Sequence, residues 1–287
     1  MPRCLIAYFS QAGSTAKVAE AIARGLRDHG FDVDLFSLTR GKVPQLQGYD
    51  LLGLGSPVYY YRQPFNVIDF VGGLPLLNGL PAFTFNTYGT YQCDASREII
   101  KAVMKKHGRP IGHYSCRGSG TFLGYAKLGY VFSPDHPKDT ALADARAFGE
   151  LMAARATTVS TVKLDLPRAA PFIYRTERFL SSRWLAAHIH SRLFKVDREK
   201  CSKCGLCEKV CPTANIRKGR SGHPVWGRRC ILCQTCESKC PKDAISSALE
   251  SSLFMPFIRH NVRVASNDRY LEHARVRHSS GKTERIS

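Results

Sequence analysis

The sequence predicts an α/β fold, a doubly wound parallel sheet, followed by a second, smaller module built around metal. Three observations carry this: apolar runs alternate with helical stretches over the first 160 residues, eight of eleven cysteines fall between Cys201 and Cys240, and the charge changes between the halves. Residues 1–165 hold 18 Lys and Arg against 13 Asp and Glu, a net of +5, while residues 166–287 hold 24 against 10, a net of +14. With 44% hydrophobic and 23% charged residues, the 287-residue chain has enough apolar surface to offset the entropy of ordering, which excludes disorder throughout. No apolar run reaches the length that crosses a bilayer, and the N-terminus lacks a signal-peptide layout. Without that layout, clustered cysteines point to metal rather than to disulfides.

The elements follow in order. "RCLIAYFS" reads as a buried strand. From Ser14 to His29 the residues Val18, Ala19, Ile22, Ala23 and Leu26 recur at helical spacing, and Gly30 supplies the stop. "FDVDLFSL" alternates as a strand does, and "DLLGLGSP", "PAFTFNTYG" and "RPIGHYSCRG" are further strand-like runs. Helices are expected at Phe65–Val71, Ala95–His107 and Lys138–Thr157. Such alternation implies parallel strands joined by right-handed crossovers, with ligands beyond the carboxyl ends of the strands.

Three loops leave the chain at that edge. "SQAGSTAK", Ser10 to Lys17, has small residues, hydroxyls and a helix start behind it, which suits a phosphate and equally suits an ordinary helix cap. "GSPVYYYRQPF" and "NTYGTYQCD" are aromatic, and a flat ring can stack on them. The first loop resembles the phosphate loop of flavodoxins, whose fingerprint runs Thr/Ser, any residue, Thr, Gly, Asn, Thr. Ser10, Gly13 and Thr15 match it, while Ala12 and Ser14 replace the middle Thr and the Asn. The resemblance covers the first 155–160 residues. It implies FMN held by Ser10, Gln11, Ala12, Gly13, Ser14 and Thr15, with its ring between Ser56, Pro57, Val58, Tyr59 and Tyr60 on one side and Asn86, Thr87, Tyr88 and Gly89 on the other. Neither Trp184 nor Trp226 lies in a ring loop, so Tyr59, Tyr60 or Tyr88 is expected to stack.

"CSKCGLCEKVCP" and "CILCQTCESKCP" each read C-x2-C-x2-C-x3-C-P. Three thiolates two residues apart can converge on three corners of an iron–sulfur cube. Structural zinc also uses paired C-x2-C, but four ligands leave no use for the third cysteine and the Cys-Pro, twice over. The segment resembles bacterial two-cluster ferredoxins, in which the fourth cysteine serves the opposite cluster. That resemblance assigns Cys201, Cys204, Cys207 and Cys240 to one [4Fe–4S] cluster and Cys230, Cys233, Cys236 and Cys211 to the other.

The whole order resembles a family of flavodoxin–ferredoxin fusions of anaerobic microbes. It implies a flavodoxin-like domain over 1–160, a helical linker over 161–195, a small α+β two-cluster ferredoxin domain over 196–250 and a basic tail over 251–287. In the linker, Phe172, Phe179, Leu180, Trp184, Ile189 and Leu193 can share one helix face beside Arg175, Arg178, Arg183 and Arg192. Such a face clamps domains together or, over 172–194, contacts an anionic membrane peripherally. The insert Gly120–Pro137 is expected either to cover the flavin or to pack as a surface loop, and the tail to be loosely ordered.

Together these features imply an intracellular electron-transfer iron–sulfur flavoprotein in a reducing cytoplasm, exchanging electrons with a redox protein partner such as an acidic ferredoxin or an oxidoreductase. No catalytic residue stands out. The alternatives are an FMN-dependent reductase of a small acceptor such as a quinone, and a nucleic-acid-binding redox sensor. Two clusters and a phosphate remove about six positive charges, which weakens the nucleic-acid reading.

Overall fold

Short runs that are apolar on both faces build the central sheet. β1 (Arg3–Tyr8), β2 (Asp32–Ser37), β3 (Leu51–Pro57), β4 (Pro81–Tyr88) and β5 (Arg109–Arg117) pair in parallel in the order β2-β1-β3-β4-β5. Burial on two sides explains their near-continuous hydrophobicity, with Leu5, Ile6, Leu52, Leu54, Phe83 and Phe85 essentially inaccessible to solvent. The order reverses between β1 and β3, so the loops after these two strands flank the switch point of the sheet.

The computed structural model describes residues 1–39, 45–158, 162, 164, 171–247, 251–252 and 254–286; residues 160, 161 and 250, which bear the expected domain boundaries, and linker residues 165–170 lie outside them. The chain divides into two units, Met1–Ser119 with Asp135–Tyr174 and Gly120–Pro134 with Arg175–Ser287.

In the first unit, α1 (Ser14–Asp28), α2 (Phe65–Gly73) and α3 (Ala95–Lys105) cover the sheet. After β5 the chain forms α4 (Leu123–Lys127) and β6 (Tyr130–Phe132), which belong to the second unit, and returns as α5 (Asp139–Ala156). Helices α1 and α5 lie close because Gly25 and Gly149 face each other's backbone; a Cβ at either would collide with the Arg146 or Ile22 carbonyl. Val18, Ile22, Leu26 and Met152 fill the core beneath them.

The boundary between the units falls within α6 (Phe172–Leu180), after Tyr174, and the second unit continues with α7 (Arg183–His188), a 3-10 turn at His190–Arg192, β7 (Lys195–Val196), α8 (Leu206–Lys209), β8 (Ile216–Lys218), β9 (Pro224–Trp226), α9 (Thr235–Ser238) and β10 (Ile245–Ser246). These small strands pair β7 with β10 and β8 with β9, both antiparallel. The chain then forms α10 (Met255–Ser266), β11 (His273–Ser279) and β12 (Lys282–Arg285), and β12-β11-β6 make a three-stranded sheet.

Three expectations need correction. The tail is not loose: it folds as α10 and a hairpin whose turn, Ser280 (φ 51°) and Gly281 (φ 75°), takes the left-handed conformations that a two-residue hairpin needs. The insert is not a plain surface loop: it forms α4 and β6, and Leu123 and Ala126 of α4 make a small core with Val276 of β11. The linker is not one helix but two, α6 and α7. The Ser181 hydroxyl donates to the Glu177 carbonyl (2.9 Å) and ends α6, and Phe172, Phe179 and Trp184 remain 83%, 70% and 63% exposed.

Candidate functional site

The loop after β1 turns into α1 through Gly13, whose φ of 93° suits a residue without Cβ. Ser10 Oγ accepts from the Ala16 amide (3.2 Å), fixing the loop over the helix start, where free amides and the dipole favour an anion. The Ser14 hydroxyl donates to the His136 carbonyl and accepts from the Ser119 amide, both at 3.3 Å. Thr15 and Thr87 share a buried hydroxyl–hydroxyl bond of 2.8 Å that ties α1 to the end of β4. Gln11 accepts from the Tyr59 hydroxyl, and Ala12 is exposed. A Cβ at Gly118 would stand 2.9 Å from Ser14 Cβ and 3.0 Å from Thr87 Cβ, so a larger residue would crowd this cradle.

After β3, Ser56 and Pro57 lead into a tight hairpin: Tyr59 and Arg62 exchange amide–carbonyl bonds of 3.0 Å, with Tyr60 (φ 48°) and Tyr61 (φ 60°) at its tip. Positive φ at two consecutive tyrosines is a strained conformation of the kind that gathers at ligand sites. The Val58 amide donates to the Thr87 carbonyl (2.9 Å), joining the two ring loops. Tyr61, which the sequence reading did not include, is the buried tyrosine at 6% exposure, and its ring lies 4.3 Å from that of Tyr174. Tyr59 and Tyr60 are half-buried. Tyr88 is half-buried beneath the Arg117 guanidinium (5.7 Å), with Gly89 following it.

Sequence reasoning also missed Gln63. It is fully buried, accepts at Oε1 from the Ser56 hydroxyl and from Asn86 Nδ2 (3.4 Å), and donates through Nε2 to the Ala95 carbonyl at 2.9 Å. Around this network Asn86 Oδ1, Ser96 Oγ and both amide atoms of Asn66 are buried without a hydrogen-bond partner in the protein. Orphaned polar atoms, an anion-favouring helix start and aromatic loops at one sheet edge fit a group with a phosphate and a polar-edged ring.

In the second unit, Cys201, Cys204, Cys207 and Cys240 line one cavity with Ile216, Pro224 and Ile245. Burial raises the Cys230 and Cys233 thiols, and Cys211 adds a smaller repulsion to both. The backbone repeats between the motifs: Lys203 and Leu232 both have φ 56°, Gly205 has 75° and Gln234 55°, and Ala214 and Asp243 have 46° and 45°. Amides of Asn215 and Ala244 donate to the sulfurs of Cys211 and Cys240, at 3.2 and 3.3 Å. Burial pushes the Cys230 thiol up to about 12 and Cys236 well above its usual value, whereas the Leu206 amide holds the exposed Cys204 thiol down. Coordination to iron would remove these protons outright. An all-thiolate donor set with amide donors to sulfur fits iron–sulfur clusters. The remaining cysteines are different: Cys4 and Cys116 are buried in strands and burial raises both thiols, Cys116 to about 11.

A sheet of this order with a hydroxyl-rich loop after its first strand defines a flavodoxin domain, and the paired cysteine motifs define a 4Fe-4S dicluster domain. The flavodoxin domain family matches residues 5–129 and the 4Fe-4S dicluster domain family residues 200–245. Flavodoxin 1 of Salmonella typhimurium is 30% identical over 124 residues, covering 39% of this chain and 68% of that protein. An uncharacterised protein of Methanocaldococcus jannaschii is 25% identical over 151 residues, 52% of this chain and 96% of the relative. Among solved structures, a flavodoxin from the Archaea aligns with a TM-score of 0.43 at 19% identity, over 54% of this chain and 99% of its own. The chain belongs to the flavodoxin family, with a 4Fe-4S dicluster ferredoxin domain fused behind the flavodoxin domain. These two domains imply FMN and iron–sulfur clusters, and make the protein an electron-transfer iron–sulfur flavoprotein.

Proposed function

We propose that the chain relays electrons between a redox protein partner and FMN by way of two [4Fe–4S] clusters, one held by Cys201, Cys204, Cys207 and Cys240 and the other by Cys230, Cys233, Cys236 and Cys211. The observation that carries this reading is the cavity at which Cys240, from the second motif, meets three cysteines of the first. That crossing of ligands is the pattern of a two-cluster domain. When bound, FMN takes electrons singly or in pairs whereas each cluster passes one at a time, so one chain holding both links the two kinds of carrier.

The protein's own part is to hold, shield and steer. Ser10, Gln11, Ala12, Gly13, Ser14 and Thr15 cradle the phosphate, Asn86 and Gln63 offer amide groups at the ring's polar edge, and the tyrosine loops exclude water from it. Around the first cysteine cavity Lys203, Arg217, Lys218 and Lys242 are exposed, which supports an acidic partner attracted to that face.

The test mixes the anaerobic holoprotein with a reduced, acidic small ferredoxin and, separately, with NAD(P)H. The relay reading expects reduction by the ferredoxin that slows steeply with added salt, and little turnover with nicotinamide. Rapid NAD(P)H-dependent reduction of a quinone, with no reaction with ferredoxin, would replace it by the reductase reading.

A further inference from the structure

The two cysteine motifs are copies offset by 29 positions, and comparing them position by position shows what each has been adapted to do. In the first, Ser202, Lys203 and Glu208 are exposed and Gly205 occupies the left-handed turn. In the second, the equivalent positions are Ile231, Leu232, Glu237 and Gln234, all between 2% and 5% exposed. The same backbone therefore carries an open surface once and a covered one once.

Two of these four, Gln234 and Glu237, bond to α4, the helix inserted after the last strand of the flavodoxin sheet. Gln234 Oε1 accepts from the Leu123 amide at 3.1 Å, while Gln234 Nε2 donates to Ser247 Oγ at 3.3 Å. Glu237 Oε1 pairs with Lys127 Nζ at 2.7 Å, with its own side chain 1% exposed. A glutamine at a φ of 55° costs backbone energy that the glycine at 205 avoids. The side chain that imposes this cost also makes both of those hydrogen bonds. Glu208, at the position equivalent to Glu237, is exposed.

We infer that Gln234 and Glu237 are positioning residues that fasten α4 over the second cysteine motif, sealing that cluster from solvent and leaving the first cluster as the face through which the ferredoxin unit exchanges electrons with its partner. The inference rests on the two-cluster reading above. In keeping with it, exposed Lys203, Arg217, Lys218 and Lys242 line the first cavity, and the second motif has buried Ile231 and Leu232 where the first has exposed Ser202 and Lys203. A sealed site raises the strength of local charges and slows loss of iron to water-borne ligands.

The test uses the anaerobic holoprotein and a soluble ferrous chelator, following iron release by absorbance. The wild type is expected to start with about eight irons per chain and to release half in a fast phase and half in a slow one. Gln234→Gly supplies the residue that the first motif carries and preserves the turn, so it removes the fastening without straining the backbone. It is expected to speed the slow phase about tenfold and leave the fast phase unchanged. Lys127→Met should act in the same direction, and Glu208→Gln should change neither phase. About eight irons released in a single phase, or a slow phase unmoved by Gln234→Gly, would overturn this inference alone. A starting content near four irons would overturn the two-cluster reading along with it.

Discussion

Asn86 sits fully buried at the end of β4, and its Nδ2 donates to the Ser56 carbonyl and hydroxyl at 3.3 and 3.1 Å. Replacing it with leucine keeps the volume but removes the amide's bonds to Ser56 and Gln63, a loss of about 1–3 kcal/mol in all. Asn86→Leu is therefore expected to lower the unfolding free energy of the flavin-free protein by about that amount and to weaken FMN binding. Denaturant unfolding and a flavin-fluorescence titration check both effects, and unchanged stability would contradict the network described. Asn86 was legible in the sequence because it ends a strand at the ligand edge. Gln63 was not, since a lone glutamine between an arginine and a proline carries no periodic or spacing signal; only the hairpin that returns it beneath Ser56 gives it a role. The tyrosines show the same limit: "YYY" marks the loop, but the turn at Tyr60 and Tyr61 decides which ring is buried.

Among the elements, the five sheet strands and their covering helices were legible because apolar runs and helical spacing are local signals. The β6–β11 pairing was not: it joins Phe132 to His273, far apart in the chain, and β11 alternates charged residues with few apolar ones. Its hairpin turn, Ser280-Gly281, was the signal available. Helices α6 and α10 meet through Glu177, whose two carboxylate oxygens accept from Asn261 Nδ2 at 3.0 and 2.9 Å. Burial raises the Glu177 carboxyl from 4.5 to about 7, so between those values the folded chain keeps a proton that the unfolded chain has released. Stability is accordingly expected to fall as pH rises through that window and to level off above it. Glu177→Gln should remove this slope, matching the wild type near the lower end and exceeding it at about pH 8. Thermal midpoints measured across the window decide it; an equal slope in the variant would place the pH dependence elsewhere.

For the whole molecule, the charge step at the middle of the chain and the eight clustered cysteines make two modules legible in the sequence. The sequence could not announce that the second unit is assembled from two separate stretches, because nothing in Gly120–Pro134 marks it as belonging to residues that begin some 40 positions later. That assembly places α4, a piece of the flavodoxin-domain sequence, in the same unit as the cysteine motifs. We propose one chain that carries FMN and two [4Fe–4S] clusters as a single relay. The most direct test is anaerobic purification with iron, sulfide and flavin quantitation, followed by visible spectra during stepwise reduction. About eight irons, eight sulfides and one FMN per chain, all reducing, is the expected result. Iron without flavin, or zinc in place of iron in anaerobically prepared protein, would contradict it.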